Sequence, residues 1–220
     1  MKQLSAKLAC KGYWESCADV PGLREWSEAE ALIDQYVGLL LQVSKRRSLL
    51  AASQRNEDSL WGHVFDSLQA LRMVAESGAT VVMDAGSGNG LPGVPLAAAL
   101  PSVSFVLVER TEPKAEFLEL VSARCGLRNV TVRAADLSEL VVGSIQPGLV
   151  IMRALVSADS ALLPRWMQSL TCPWIVFATS SNHPNWIRLA GVFEFAVCDE
   201  LEYVDVSGLR PRLLLKFANL

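Results

Sequence analysis

After residue 78, short β-rich runs alternate regularly with helical stretches, and this alternation constrains the fold of the chain more than any other feature. The apolar runs predict five strands, at residues 80–84, 103–109, 130–134, 149–153 and 174–178. The intervening segments predict helices at residues 94–100, 113–125 and 158–170. Strands that alternate with helices need crossover connections, which build a mainly parallel sheet covered on both faces. We therefore predict an α/β protein.

The C-terminal tail departs from this alternation. Two strand-like runs, residues 193–204 and 210–217, are joined by Ser207-Gly208. Two strands joined by a short glycine-containing turn are typical of an antiparallel hairpin. We expect this hairpin to complete a seven-stranded sheet.

The N-terminal part has a helical pattern. Apolar residues at helical spacing predict helices at residues 27–43 and 57–76, and Ser27 followed by Glu30 forms a capping-box pattern at the start of the first. We therefore divide the chain into an N-terminal helical extension, residues 1–77, and one compact unit, residues 78–220.

Composition limits the class of protein. With 51% hydrophobic and 20% charged residues among 220, the chain can bury a sizeable core. It has no uncharged apolar run of about 18 residues and no apolar leader, so we predict a cytoplasmic protein without a membrane span. The five cysteines are scattered without a CxxC pair, which favours buried thiols over disulfides or a metal site.

The net charge of −3 provides no general attraction for a polyanion. A nucleic-acid partner would need a local basic patch. Lys45-Arg46-Arg47 and Arg55 are candidates for contacts to phosphates, with a solvated loop as the alternative interpretation.

A glycine-rich loop, Asp84 to Gly90, follows the first predicted strand. Ligands of open parallel sheets bind beyond the carboxyl ends of the strands, and glycines there allow tight turns and close approach. Residues 88–93 match GxGxxG, which by itself fits a dinucleotide such as NAD. With a dinucleotide, the Asp84 carboxylate would stand near a pyrophosphate of the same charge sign. With S-adenosylmethionine, it would stand near a cationic sulfonium and an amino group, which its negative charge suits. The loop therefore favours S-adenosylmethionine, with a nucleotide as the alternative.

Two further acids follow the next two strands. Glu109 ends the second strand, where a carboxylate can accept both ribose hydroxyls. Asp136 follows the third strand and is a candidate for the adenine amino group. The complete predicted cofactor-binding set comprises Asp84, Gly86, Ser87, Gly88, Gly90, Leu91, Pro92, Glu109, Ala135, Asp136 and Arg153.

These residues resemble the RsmG (GidB) family of bacterial small-subunit ribosomal RNA methyltransferases. The resemblance is carried by VVMDAGSGNGLPGVPLAA at residues 81–98, by His63-x-x-Asp66-Ser67, by Met152-Arg153-Ala154 and by Phe117-Leu118. It covers roughly residues 25–217.

The resemblance implies a Rossmann-like class I methyltransferase with an N-terminal helical extension. It further implies methylation of guanine N7 in 16S ribosomal RNA, with the RNA or a pre-30S particle as partner, a monomeric state and no metal. Guanine N7 carries an available lone pair, so catalysis needs positioning rather than a base.

Four residues are the predicted catalytic set: His63, Asp66, Ser67 and Arg153. The first three share one helix face, because they are three and four residues apart. Arg153 ends the fourth strand and is a candidate to hold an RNA phosphate or the target base. A structural ion pair of Arg153 with Asp66 or Asp84 is the alternative interpretation.

The chain departs from the family pattern at Ser48-Leu49-Leu50, at Pro113-Lys114, at Ala134 and at Thr179-Ser180. Two alternative functions therefore stay open. One is a divergent methyltransferase with another substrate, and the other is a non-catalytic module that binds S-adenosylmethionine and ribosomal particles.

Overall fold

The computed structural model describes residues 5–47, 49–137, 146–153, 172–179, 181–192 and 194–219. Its helices are α1 (Ala6–Glu15), α2 (Trp26–Ser44), α3 (Glu57–Leu68), α4 (Leu71–Glu76), α5 (Gly93–Ala99), α6 (Glu112–Arg124) and α7 (His183–Val192), with a 3-10 turn at Ala52–Gln54. Its strands are β1 (Val81–Ala85), β2 (Ser104–Glu109), β3 (Val130–Ala134), β4 (Leu149–Arg153), β5 (Trp174–Ala178), β6 (Phe195–Val204) and β7 (Pro211–Asn219).

The described strands form one seven-stranded sheet in the order β3-β2-β1-β4-β5-β7-β6. Strands β1 to β5 pair in parallel, and β7 pairs antiparallel with both β5 and β6. This arrangement confirms the predicted parallel sheet with a C-terminal hairpin. Because the order reverses between β1 and β4, a crevice opens at the carboxyl end of β1, where the glycine loop begins.

Alternate residues of the strands face two different cores. In β4, Leu149 and Ile151 pack with the N-terminal helices, α5 and α6, whereas Val150 and Met152 pack on the opposite face. That second core includes Trp186 of α7. The N-terminal helices and one face of the sheet therefore share a continuous core.

The observed helices differ from the predicted ones at three places. Helix α2 begins at Trp26 after Glu25, and no side chain caps it, so Ser27 lies inside the helix and the capping box does not form. Helices α1 and α7 were not predicted. The predicted helix at residues 158–170 lies outside the described residues.

The predicted helix at residues 57–76 is interrupted after Leu68. Side chains satisfy backbone carbonyls at the interruption: Gln69 donates to the carbonyl of Phe65 at 3.3 Å, and Tyr13 donates to the carbonyl of Gln69 at 3.2 Å. Leu68 and Leu71 are both fully buried. The apolar periodicity therefore continues across the break, which is why it was invisible in the sequence.

Candidate cofactor and substrate site

The glycine loop turns through three left-handed positions. Gly86, Gly88 and Gly90 have φ values of 71°, 58° and 104°, a region that L side chains rarely adopt. A Cβ atom on Gly90 would lie 2.7 Å from Val94 Cγ2. The residue types at these positions are thus imposed by the backbone conformation.

Asp84 ties the loop to helix α5 at its first turn. Its side chain is 1% exposed, and its Oδ2 accepts from the Gly93 amide at 2.9 Å. The Ser87 hydroxyl donates to the Asp84 carbonyl at 2.9 Å. Burial raises the pKa of the Asp84 carboxyl to about 7, against the opposing effect of the Gly93 hydrogen bond. Its Oδ1 is buried and has no hydrogen-bond partner among the described residues.

Glu109 holds the other side of the loop. Its Oε2 accepts from the Gly88 amide at 2.9 Å and its Oε1 from the Thr111 amide at 2.8 Å. The carboxylate is nearly buried, yet each oxygen keeps a second lone pair for a ligand.

The remaining predicted cofactor residues lie at the same edge of the sheet. The Ala135 amide donates to the Glu109 carbonyl at 3.2 Å, which holds the end of β3 beside β2. Asp136 is more exposed than the other two acids and lies 3.8 Å from Arg110 Nη1. Leu91 and Pro92, which are joined by a cis peptide bond, link the glycines to α5.

Arg153 brings the four predicted catalytic residues together. Its Nη1 donates to the His63 carbonyl at 3.0 Å and to Ser67 Oγ at 3.1 Å. Its Nη2 contacts His63 Nδ1 at 3.0 Å and Asp66 Oδ2 at 3.2 Å. All four contacts go to helix α3, and the guanidinium also lies 5.8 Å from the centre of the Phe177 ring.

The ion pair of Arg153 with Asp66 agrees with one of the two structural pairings considered for Arg153. The Asp66 side chain is buried. Burial raises its pKa, and the positive charges of Arg153 and Arg212 oppose that rise. Its Oδ1 has no partner within the described part of the chain.

His63 is held neutral in this cluster. Burial, reinforced by the charges of Arg153 and Arg212, lowers its pKa to about 4. A guanidinium only donates, so Nδ1 must be the acceptor and the ring hydrogen lies on Nε2. Nε2 is 3.2 Å from the side-chain amide of Gln54. That amide satisfies Nε2–H when it presents its oxygen, because the two amide atoms exchange by a 180° rotation.

Helix α2 reaches the loop through a residue that the sequence reasoning missed. The Tyr36 hydroxyl donates to the Asn89 carbonyl at 3.0 Å, and the side chain is 1% exposed. The helical periodicity assigns Tyr36 only to the apolar face of its helix. The sequence does carry a signal for this contact, namely a tyrosine among aliphatic residues at helical spacing. A buried phenol needs a hydrogen-bond partner, so such a tyrosine indicates a polar contact.

The hydrogen bonds of the Arg153 cluster given above involve none of the candidate phosphate contacts. Arg47 pairs with Glu116 of α6 at 2.6 Å, and Arg55 donates to the Leu50 carbonyl at 3.2 Å. Lys45 and Arg46 are exposed.

The site fits a ligand that carries both positive charge and hydroxyl groups. A loop with three glycines at positive φ lies between two buried carboxylates, and one carboxylate oxygen of Asp84 is left without a partner among the described residues. Such an oxygen costs free energy unless a ligand or water satisfies it.

Within the described residues, no three His, Cys, Asp or Glu side chains are grouped as a metal ion would require. None of the described helices is both long and apolar enough to span a membrane.

Several solved structures with similar folds are methyltransferases. A 1,6-didemethyltoxoflavin-N1-methyltransferase of Burkholderia thailandensis, solved with S-adenosylhomocysteine, has a TM-score of 0.58 at 15% identity and covers 84% of this chain and 89% of its own. TYW2 of M. jannaschii, solved with AdoMet, has a TM-score of 0.55 at 16% identity and covers 72% of this chain and 77% of its own. At these identities the likeness concerns the fold alone.

Sequence relatives point to one family. Ribosomal RNA small subunit methyltransferase G of Sorangium cellulosum (strain So ce56) is 40% identical over 117 residues, which is 52% of this chain and 48% of the relative. The enzyme of the same name from Stutzerimonas stutzeri (strain A1501) is 28% identical over 187 residues, 85% of this chain and 86% of the relative. The chain spans about half the length of several other relatives. The family model for rRNA small subunit methyltransferase G, GidB, matches residues 29–174, and the chain therefore belongs to this family.

Proposed function

We propose that the protein transfers a methyl group from S-adenosylmethionine to guanine N7 of 16S ribosomal RNA. The observation that carries the proposal is the glycine loop held between Asp84 and Glu109 at the carboxyl edge of the sheet, beside the Arg153 cluster. Membership of the GidB family supports the substrate. When bound, S-adenosylmethionine supplies a methyl group on a cationic sulfur, and guanine N7 can accept it without first losing a proton.

Different residues of the chain would hold different parts of the cofactor. The backbone of Gly86, Gly88 and Gly90 would accommodate its amino-acid portion, and the Asp84 carboxylate would balance positive charge. Glu109 would accept the ribose hydroxyls with its remaining lone pairs, and Asp136 would receive the adenine amino group. Two of these acids brace the loop through backbone amides, so the site is preorganised and binding costs little reorganisation.

We assign Arg153 to positioning rather than to direct contact with RNA. Four of its five N–H groups are engaged by helix α3, which leaves only Nε–H for a further partner. Arg153 thereby holds His63, Asp66 and Ser67 against the end of β4. These residues would form the wall of the site against which the target base docks.

The test is to map 7-methylguanosine in 16S RNA from a strain that lacks the gene and is complemented with variants. Wild type and the exposed-residue control Glu119→Ala should restore the modification. Glu109→Ala should not, because the loop loses its brace and the ribose its acceptor. If the 16S RNA of the deletion strain keeps its 7-methylguanosine, the proposed substrate is wrong.

A second measurement separates the two alternative functions. Purified small subunits from the deletion strain are incubated with the protein and S-adenosylmethionine, and cofactor binding is measured by calorimetry. Binding without methyl transfer to any RNA indicates a non-catalytic module. Transfer to a different substrate indicates a divergent enzyme.

A further inference from the structure

One peptide unit of the glycine loop is held from both sides. The carbonyl of Asn89 and the amide of Gly90 belong to the same planar peptide group. The carbonyl accepts from the Tyr36 hydroxyl at 3.0 Å, and the amide donates to the Ser87 carbonyl at 2.8 Å. A rotation of this peptide would break both hydrogen bonds.

This peptide is a vulnerable place in the loop. Gly90 supplies its amide and Gly88 lies just before Asn89, and both glycines can adopt positive or negative φ at little cost. The Ser87 contact lies within the loop, and the Ser87 amide donates to the Val108 carbonyl of β2 at 2.9 Å. Among the described residues, the Tyr36 hydroxyl is the hydrogen-bond partner of this peptide that comes from outside the loop, from helix α2.

Helix α2 is well suited as a fixed support for this peptide. Near its start, the Arg24 amide donates to the Ala99 carbonyl and the Arg24 guanidinium to the Ala98 carbonyl, both at 2.9 Å. Next to Tyr36, the side-chain amide of Gln35 donates to the backbone carbonyl of Arg124 at 2.9 Å. The helix is thus fastened to the ends of both α5 and α6, the helices on either side of the loop. Burial raises the pKa of Tyr36, so its hydroxyl keeps its proton and remains a donor.

We propose that Tyr36 is a positioning residue for the cofactor, whose hydroxyl keeps the Asn89–Gly90 peptide in the orientation that accepts S-adenosylmethionine. The inference rests on the proposed cofactor function. The N-terminal extension would then contribute to cofactor binding without touching the cofactor. The apparent affinity falls with the fraction of loops in the competent conformation, so loss of the hydroxyl should weaken binding.

The experiment compares wild type, Tyr36→Phe and Tyr13→Phe. Tyr13 is a matched control, because its hydroxyl also donates to a backbone carbonyl, that of Gln69, at 3.2 Å. Burial raises the pKa of Tyr13 as well. Each substitution removes one hydroxyl and retains the ring, so both variants should fold, with similarly lowered midpoints of thermal unfolding.

Tyr36→Phe should weaken S-adenosylmethionine binding about fivefold by calorimetry, the value of one hydrogen bond. Its KM for the cofactor should rise with kcat unchanged at saturation. Hydrogen exchange of the amides of residues 86–90 should accelerate in Tyr36→Phe alone, and saturating cofactor should abolish the difference. None of these changes should occur in Tyr13→Phe.

Two results would overturn the inference: wild-type affinity in Tyr36→Phe, or equal weakening in both variants. A wild-type protein that fails to bind S-adenosylmethionine instead refutes the proposed function. In that case the exchange measurement still decides whether Tyr36 holds the loop.

Discussion

Arg153 Nη2 lies 3.2 Å from Asp66 Oδ2, although 87 positions separate the two residues in the chain. Their side chains are 16% and 10% exposed. The pair joins helix α3 to strand β4 at the edge of the sheet where the glycine loop begins.

Arg153→Met should lower the free energy of unfolding by about 3 kcal/mol, because Asp66 would remain mostly buried without its charged partner. Arg153→Lys should recover less than half of this loss, since an ammonium cannot span His63, Asp66 and Ser67 with a planar fork. Urea unfolding measures both effects, with the exposed Arg133→Met as a control of near-zero effect. In a double-mutant cycle with Asp66→Asn, additive losses would contradict the coupling.

His63 should titrate near pH 4, as followed by NMR, and not near its ordinary value of 6.5. Because the folded pKa is lowered, the unfolded chain binds more protons between pH 4 and 6.5, and this residue makes stability rise with pH over that window. His63→Gln should remove that rise relative to wild type. A His63 resonance that titrates near 6.5 would contradict the buried, neutral state.

Asp84 should make the stability fall as the pH rises, which is opposite to the effect of His63. Its folded pKa of about 7 exceeds its ordinary value of 3.8, so the folded protein holds the extra proton. The stability from this residue is present below pH 4 and is lost as the pH rises through 7, by about 1.4 kcal/mol per pH unit at most. Asp84→Asn should therefore show a stability that rises more steeply with pH than wild type from pH 4 to 7. Identical pH dependences in the two proteins would show that Asp84 is ionised throughout.

Gly93→Ala should destabilise the protein by about 2 kcal/mol or more. The added Cβ would lie 2.5 Å from Asp84 Oδ2 and would overlap Leu107 Cδ2, which forces apart the contact that anchors α5. Gly38→Ala is the matched control, because Gly38 is an exposed helix residue and a Cβ atom added to it would meet no other atom within 4 Å. The control should be neutral or slightly stabilising. Equal unfolding midpoints for the two variants would contradict the close approach.

The sequence alone determined the features that depend on local pattern. Apolar runs and their spacing identified the seven strands of the described residues and the antiparallel hairpin. The order of Asp84, the glycines and Glu109 along consecutive strands identified one edge of the sheet, since parallel strands bring their carboxyl ends together. The three glycines predicted tight turns in the loop, and all three adopt positive φ.

Only the tertiary structure decided what depends on contacts between distant segments. Ser27 and Glu30 have the residue types of a capping box, yet the helix begins one residue earlier, at Trp26, because packing of an apolar face outweighs a local cap. The hydrogen bonds from Arg153 to helix α3 and the bond from Tyr36 to Asn89 join residues at least 53 positions apart. Periodicity reports which face of a helix is buried but not which polar atom it meets there, and for this reason the partners of Arg153 and Tyr36 emerged only from the folded chain.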